Sequence, residues 1–439
     1  MKLRLGILLL STASVALSQQ TLRLSLRRAI EIALAPEGNI RVGIAGEAVK
    51  QADARALEVR ASLLPNLDGS FNYQDATRNL AAFGIQFPSI PGYRFSTFAG
   101  PFAVIDARAS ITQSVFDFSS IRRYQSARAG AVAARSEREN TRHAVTDQVV
   151  RAYLTALQAD ARVETAKANL DLAEALERLA DTQKRAGTGT GIEVTRAEVQ
   201  IANERQRLQI AENERTRARL QLLRVLDLDL ETTIELSDKL SYQPLEPISF
   251  AQALESAIRT RPDFKAQQER ELAARLGYSA EKMERLPSLA AFGDYGSIGP
   301  EFGASRATRT VGLSLRVPVF DGGRRDARRA ESASQWRVEQ ARTKDLRRQL
   351  ELELRVAFDN LRSADLQVKT ASGGLALAGK ELEQAERRYK AGVTNSIEVT
   401  DAQTRLVRAR DNRISALFEY NLARLDLGTA IGAVERYLP

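Results

Sequence analysis

A pattern of apolar residues returns after 205 positions, and no other feature of the chain constrains its fold as strongly. One stripe runs Val145, Val149, Ala152, Ala156, Ala159, Val163, Ala166, Leu170, Ala173. The other runs Leu350, Leu354, Ala357, Leu361, Ala364, Val368, Ala371, Leu375, Ala378, each member displaced by 205 (145 + 205 = 350). The steps alternate four and three, the spacing of one face of a helix in a left-handed supercoil. The register continues beyond the stripes: Ala186-Gly187 falls on Ala391-Gly392, and Ile192-Glu193-Val194-Thr195 on Ile397-Glu398-Val399-Thr400. The chain is therefore an internal duplication built on two long helices, and not a short-repeat solenoid.

Each half has the same order of parts. A first helix, roughly 26–63 and 250–285, ends at Leu64-Pro65-Asn66-Leu67 or Leu286-Pro287-Ser288-Leu289, where proline removes a backbone donor and restricts its predecessor. Strands follow at about 66–75 and 102–116, and at about 288–297 and 308–320. The long helices come next, roughly 119–186 and 322–391, then a tight glycine turn and return helices, roughly 192–226 and 397–427. A helix near 70 residues is on the order of 100 Å long, far beyond a compact domain, so it must pack in coiled-coil fashion. A partial second stripe, Val150, Leu154, Leu157, Ala161, gives the first long helix contacts on two sides, as in a ring of helices. The expected organisation is a signal peptide (1–18), a first repeat (19–226), a connector (227–249) and a second repeat (250–439).

Two strands alternate strictly. In 102–116, Ala103, Ile105, Ala107, Ala109 and Ile111 alternate with Val104, Asp106, Arg108, Ser110 and Thr112; in 308–319, Val311, Leu313, Leu315 and Val317 alternate with Thr310, Gly312, Ser314 and Arg316. Residues 66–74 alternate as well, and 288–296 do so poorly. Alternation over about ten residues, with charge on one face, marks a transmembrane β-barrel strand; a half-buried strand of a soluble sheet shares the period. Four strands cannot close a useful barrel, so the barrel must be shared between chains. The loop at about 76–101 carries Phe83, Phe87, Tyr93, Phe95 and Phe98 and reads as outward-facing.

Bulk properties agree with export. Lys2 and Arg4 precede the apolar run Leu5 to Leu10, and Ala16-Leu17-Ser18 offers a cleavage site before Gln19. The run is too short to span a bilayer. With no cysteine, the exported chain is held by packing alone. The net charge of +9 permits binding to nucleic acid, but the arginines are scattered between stripe positions, which fits solvated helix faces and no nucleic-acid partner.

Three features together resemble the TolC family of outer-membrane efflux proteins. These are the duplicated helix-strand-strand-helix-helix plan, the corner Pro318-Val319-Phe320-Asp321-Gly322-Gly323-Arg324, and Arg388-Tyr389-Lys390-Ala391-Gly392 followed by Ser396-Ile397-Glu398-Val399-Thr400-Asp401-Ala402-Gln403. The corresponding first corner, Ser114-Val115-Phe116-Asp117, lacks the proline and the glycine pair. The resemblance implies a mostly α fold with a small β part: a homotrimer whose twelve strands form one barrel in outer-membrane lipid and whose helices form a periplasmic tunnel. It also implies a periplasmic adaptor and an inner-membrane pump as partners. The function implied is an exit duct for tripartite efflux or type I secretion. A periplasmic adaptor or coiled-coil scaffold without a pore is the alternative, and it has no use for polar residues facing a lumen.

No catalytic constellation, cofactor site or metal site is expected; the single histidine, His143, reads as helix surface. Glu398 and Asp401 lie three apart on one helix face, where family members place acidic residues at the periplasmic entrance. Glu193 and Tyr389 match positions of gate-closing links, although Thr394 stands where the resemblance calls for an arginine. Gly187 and Gly189, and Gly392, Val393 and Thr394, lie in turns resembling the tips that dock the adaptor.

Overall fold

The computed structural model describes residues 22–35, 38–85, 91–92, 96–246 and 248–437. The expected signal segment and the loop aromatics Phe87, Tyr93 and Phe95 lie outside them. In chain order the elements are β1 (Leu22–Leu24), α1 (Leu26–Leu34), α2 (Ile40–Ala61), β2 (Asn66–Asn79), β3 (Phe98–Phe116), α3 (Phe118–Arg185) and α4 (Gly191–Val225). The second half supplies β4 (Ile234–Leu236), α5 (Phe250–Thr260), α6 (Pro262–Met283), β5 (Ser288–Gly299), β6 (Arg306–Arg316), α7 (Arg324–Lys390) and α8 (Ser396–Ile431).

Several boundaries differ from the sequence reading. The first helix of each half is two helices. Pro262 occupies the first turn of α6, and Arg261 before it takes φ −60°, ψ 123°, outside the helical region. Ala35, which precedes Pro36, likewise takes ψ 153° and ends α1. β6 stops at Arg316 and not near 320: Pro318 has no N–H to give a ladder, and the chain turns through Gly322 and Gly323, with φ 68° and 84°. β2 and β3 reach further than expected, to Asn79 and from Phe98. The connector contributes a strand of its own, β4, which pairs in parallel with β1.

The described residues fall into two compact units that cut across the repeats. One draws on the described residues of Met1–Gly43, Thr141–Thr260 and Leu350–Pro439, the other on those of Ile44–Asn140 and Arg261–Gln349. The first unit is helical. Every stripe residue of α3 and α7 is buried or half-buried there. Its largest core joins Val149, Leu154 and Leu157 of α3 to Leu222 of α4, Leu425 of α8 and Leu24 of β1. Tyr153 is fully buried, and its hydroxyl donates to the Leu24 carbonyl (2.9 Å) and to Asp238 (2.8 Å). Asp238 also accepts from the Leu26 N–H at 2.8 Å, so one connector carboxylate fixes both the start of α1 and α3. Burial and that carboxylate push the Tyr153 phenol well above its ordinary range.

The second unit holds a four-stranded antiparallel sheet in the order β2-β3-β5-β6. Directly paired residues share a face, so the register sorts the side chains. One face carries Leu67, Phe71 and Tyr73 of β2, Ile105, Ala107 and Ile111 of β3, and Val311, Leu313 and Leu315 of β6. The other carries Asn66, Asp68, Asn72, Asp106, Arg108, Asp294, Arg306, Thr310 and Arg316. β5 breaks the alternation by placing Phe292 on the polar face. Its ring lies over Gly312, where an added Cβ would come within 2.7 Å of the ring edge. Among the described residues no helix is long and apolar enough to cross a membrane.

Candidate functional site: helix turns and a two-faced sheet

The two helix turns belong to the helical unit and have the same construction 205 positions apart. At the first, the Gly187 N–H donates to Lys184 O (3.1 Å) and the Thr188 N–H to Gln183 O (3.0 Å). At the second, Gly392 donates to Tyr389 O and Val393 to Arg388 O, both at 3.0 Å. Gly187 and Gly392 take φ 75° and 72°, the left-handed conformation that closes helix C-termini and that glycine adopts without strain. The Gln183 amide donates to Tyr389 O at 3.3 Å and ties one turn to the other. Gly187, Gly392 and Val393 are exposed, and Gly189 and Thr394 are half-buried.

The expected entrance residues are differently occupied. Glu398 is partly exposed, ion-paired with Arg388 Nε at 3.2 Å, and accepts a short hydrogen bond from the Thr394 hydroxyl. Thr394, where an arginine was expected, therefore still holds an acidic residue of α8. Asp401, one turn further, is exposed, and its side chain has no hydrogen-bond or ion-pair partner among the described residues. Glu193 caps α4: its carboxylate accepts from the Thr190 N–H at 2.9 Å, an ordinary structural role for an acid in the first turn. It does not bond to Tyr389, whose ring is buried and whose hydroxyl has no partner among the described residues. Burial first, and then the Glu193 charge, push the Tyr389 phenol upward. The pairing of Arg388 with Glu398 is not legible in the sequence, because ten positions and a turn separate the two and no helical spacing links them.

The corners that start the long helices are capped by aspartate in both halves. Asp321 accepts from the Arg325 N–H at 3.2 Å, and Asp117 from the Ser119 N–H at 2.9 Å and from both the Ser119 and Ser120 hydroxyls. Desolvation pulls the Asp117 carboxyl up, but the serine hydroxyls and N–H groups outweigh it and hold the carboxyl below its ordinary value. The first corner has thus kept its cap while losing its glycines.

The sheet has the chemistry of a wall between two media. On the apolar face Val311 and Leu313 are 84% and 70% exposed, and Tyr295 and Arg309 pair across strands near the β5–β6 loop. On the polar face Arg108 bridges Asp106 (2.6 Å) and Asp294 (3.1 Å). Exposed leucine and valine on one side and a charge cluster on the other fit lipid outside and water inside. Asp294 was not singled out from sequence, because β5 hides it in a poorly alternating strand.

A chain that joins long paired helices to strands of this kind is a membrane channel subunit. Residues 32–227 and 253–433 match the family described as Outer membrane efflux protein, and the chain belongs to that family. It is accordingly an outer-membrane exit channel of the efflux and type I secretion class. The chain is 25% identical to the pyoverdine export outer membrane protein OpmQ of Pseudomonas putida, over 91% of this chain and 84% of that one. It is 22% identical to the alkaline protease secretion protein AprF of Pseudomonas aeruginosa, over 71% and 66%. The fold matches a Pseudomonas aeruginosa membrane protein with a TM-score of 0.80 at 20% identity, covering 93% of each chain. It also matches the open state of the Neisseria gonorrhoeae MtrE outer membrane channel with a TM-score of 0.76 at 19% identity, covering 93% and 89%.

Proposed function

We propose that three copies of the chain close one twelve-stranded barrel and pass cargo outward from an inner-membrane pump and a periplasmic adaptor. The observation that carries this reading is the open sheet: β2 and β6 each have a strand neighbour on one side only among the described residues. Unpaired strand edges are not tolerated in hydrocarbon. Two copies would give eight strands, a barrel that side chains fill; three is the smallest number that leaves a lumen. The adaptor docks at the turns around Gly187, Gly189, Gly392, Val393 and Thr394. Asp401, with Glu398 behind it, forms a ring of six carboxylates at the entrance, which attracts cations. Asp401 leads because Arg388 already neutralises part of Glu398. Tyr389 and Glu193 belong to the closed gate, and the unpartnered phenol of Tyr389 is what supports that assignment.

Mass measurement in detergent tests the assembly: three chains per particle are expected, and a water-soluble monomer would overturn it. Planar-bilayer recording of the Glu398→Ala/Asp401→Ala variant tests the entrance. Weaker cation selectivity and lost block by divalent cations are expected, and unchanged selectivity would place the constriction elsewhere.

A further inference from the structure

Glu204 of α4 is 1% exposed, the most deeply buried acidic side chain among the described residues. It lines a cavity of about 310 Å³ in the helical unit, together with Arg162 and Asn169 of α3, Arg207 and Glu214 of α4, and Asp411 of α8. The hydrogen bonds there are lopsided. Gln200 Nε2 and Arg207 Nη1 both donate to Glu204 Oε1, each at 2.8 Å, while Oε2 has no partner among the described residues. The other cations are already engaged: Arg162 pairs with Glu214 at 3.1 Å, and Arg410 of α8 donates to Asn169. An ionised Glu204 would leave negative charge on a buried oxygen that meets no donor among the described residues, in a cavity that a second acid, Asp411, also lines. A proton on Oε2 removes that charge; Asp411, exposed on α8, lines the same cavity. A metal ion is the poorer occupant, since no three acidic or histidine side chains converge among the described residues.

We infer that Glu204 holds a proton in this cavity, helped by the charge of Asp411, and that its loss as pH rises loosens α4 from α8. The electrostatics agree in direction. Desolvation pushes the Glu204 carboxyl up, Arg207 pulls it down, Asp411 pushes it up again, and the net shift is upward. The folded protein then holds the proton more tightly than the unfolded chain. The contribution to the α4–α8 contact is complete below the ordinary carboxyl range and is lost as pH rises through the raised value. Glu204 lies thirteen residues from the start of α4 and Asp411 fifteen from the start of α8, roughly 20 Å along each helix from the turns. The contact is therefore placed to set how freely the two return helices part.

The chain has no cysteine, so a spin-label pair can be introduced without other changes. Gln206→Cys and Arg413→Cys put labels on exposed positions of α4 and α8 in the full-length protein in detergent. Dipolar spectroscopy from pH 5 to pH 8 is expected to show the distance distribution lengthening or broadening with pH. Glu204→Gln, which keeps the shape and cannot ionise, is expected to abolish that response. Asp411→Asn, which removes the neighbouring charge, is expected to move the midpoint to lower pH. A wild-type distribution that ignores pH, a Glu204→Gln variant that responds as the wild type does, or an unmoved Asp411→Asn midpoint would each overturn the inference. The readout is helix separation and not conduction, so it stands or falls independently of the proposed trimer.

Discussion

The two long helices began as copies and now have opposite backs. On the shared stripe they agree: Val149 and Leu354, 205 apart, are both fully buried. Away from it they invert. α3 buries Val150, Leu154 and Leu157, and the matching positions of α7 are the exposed Arg355, Asp359 and Arg362. α7 exposes Leu352 and Val356, and the matching positions of α3 are Asp147 and Arg151, joined at 2.8 Å and braced by Asp426 and Thr429. Desolvation lowers the half-buried Arg151 guanidinium, but the hydrogen bonds of those carboxylates outweigh it and hold the group above its already high range. The lesson is about neighbours. α3 finds both of its partners within its own chain, whereas the second side of α7 carries the composition of a seam still to be covered.

The largest test exchanges residues between the copies. Leu154→Asp gives α3 the residue that α7 carries at Asp359 and buries a charge without a partner. It should cost upward of about 3 kcal/mol, so little folded protein should be recovered from membranes; Asp359→Leu should fold normally. A stable Leu154→Asp protein would break the comparison. The two-sided argument extends to β6. Leu313→Arg sets a charge on the lipid face at about 2–4 kcal/mol, and Ser314→Arg faces the lumen, so barrel insertion should fail only in the first. Next, Leu352→Arg/Val356→Arg should leave the helical circular dichroism of the chain intact while lowering particle mass in detergent. Each side chain removed from a covered seam is worth about 1.5–3 kcal/mol. The smallest effect concerns Asp365, the copy of Asp160 (160 + 205 = 365). Asp160 is held by Arg219 at 2.9 Å, and Asp365 by Lys369 and the Tyr242 hydroxyl. Those two bonds depress the Asp365 carboxyl, so its contribution is present at neutral pH and is lost as pH falls through the lowered value. Asp365→Asn should therefore cost under about 1 kcal/mol at pH 7, and the gap from wild type in thermal melts should close in acid.

What was legible in the sequence was whatever repeats along one element. The stripes, the strand faces and the turn glycines all follow from spacing, and so does the second stripe on α3 alone. What escaped needed the chain to fold back on itself. No local pattern brings Asp238 to Tyr153 across 85 positions, pairs β4 with β1, or sets Arg388 beside Glu398. Phe292 misled the reading of β5 because its paired neighbour on β6 is Gly312, and an aromatic ring filling the space of a missing side chain looks like broken alternation. Asp401 and Glu398 were legible as a pair of acids, but the unequal state of the two was not, since it depends on which cation the turn delivers.

The open edges of the β2-β3-β5-β6 sheet have a genetic consequence. If no copy can complete its ladders without two others, a copy with a spoiled edge strand does harm out of proportion to its abundance. In a cell making sound and defective chains in equal amounts and mixing them at random, only about one trimer in eight would be wholly sound. An edge-strand lesion in β2 or β6 should therefore behave as a dominant allele, whereas a lesion such as Leu154→Asp, which keeps the chain from folding and so from joining any trimer, should be recessive.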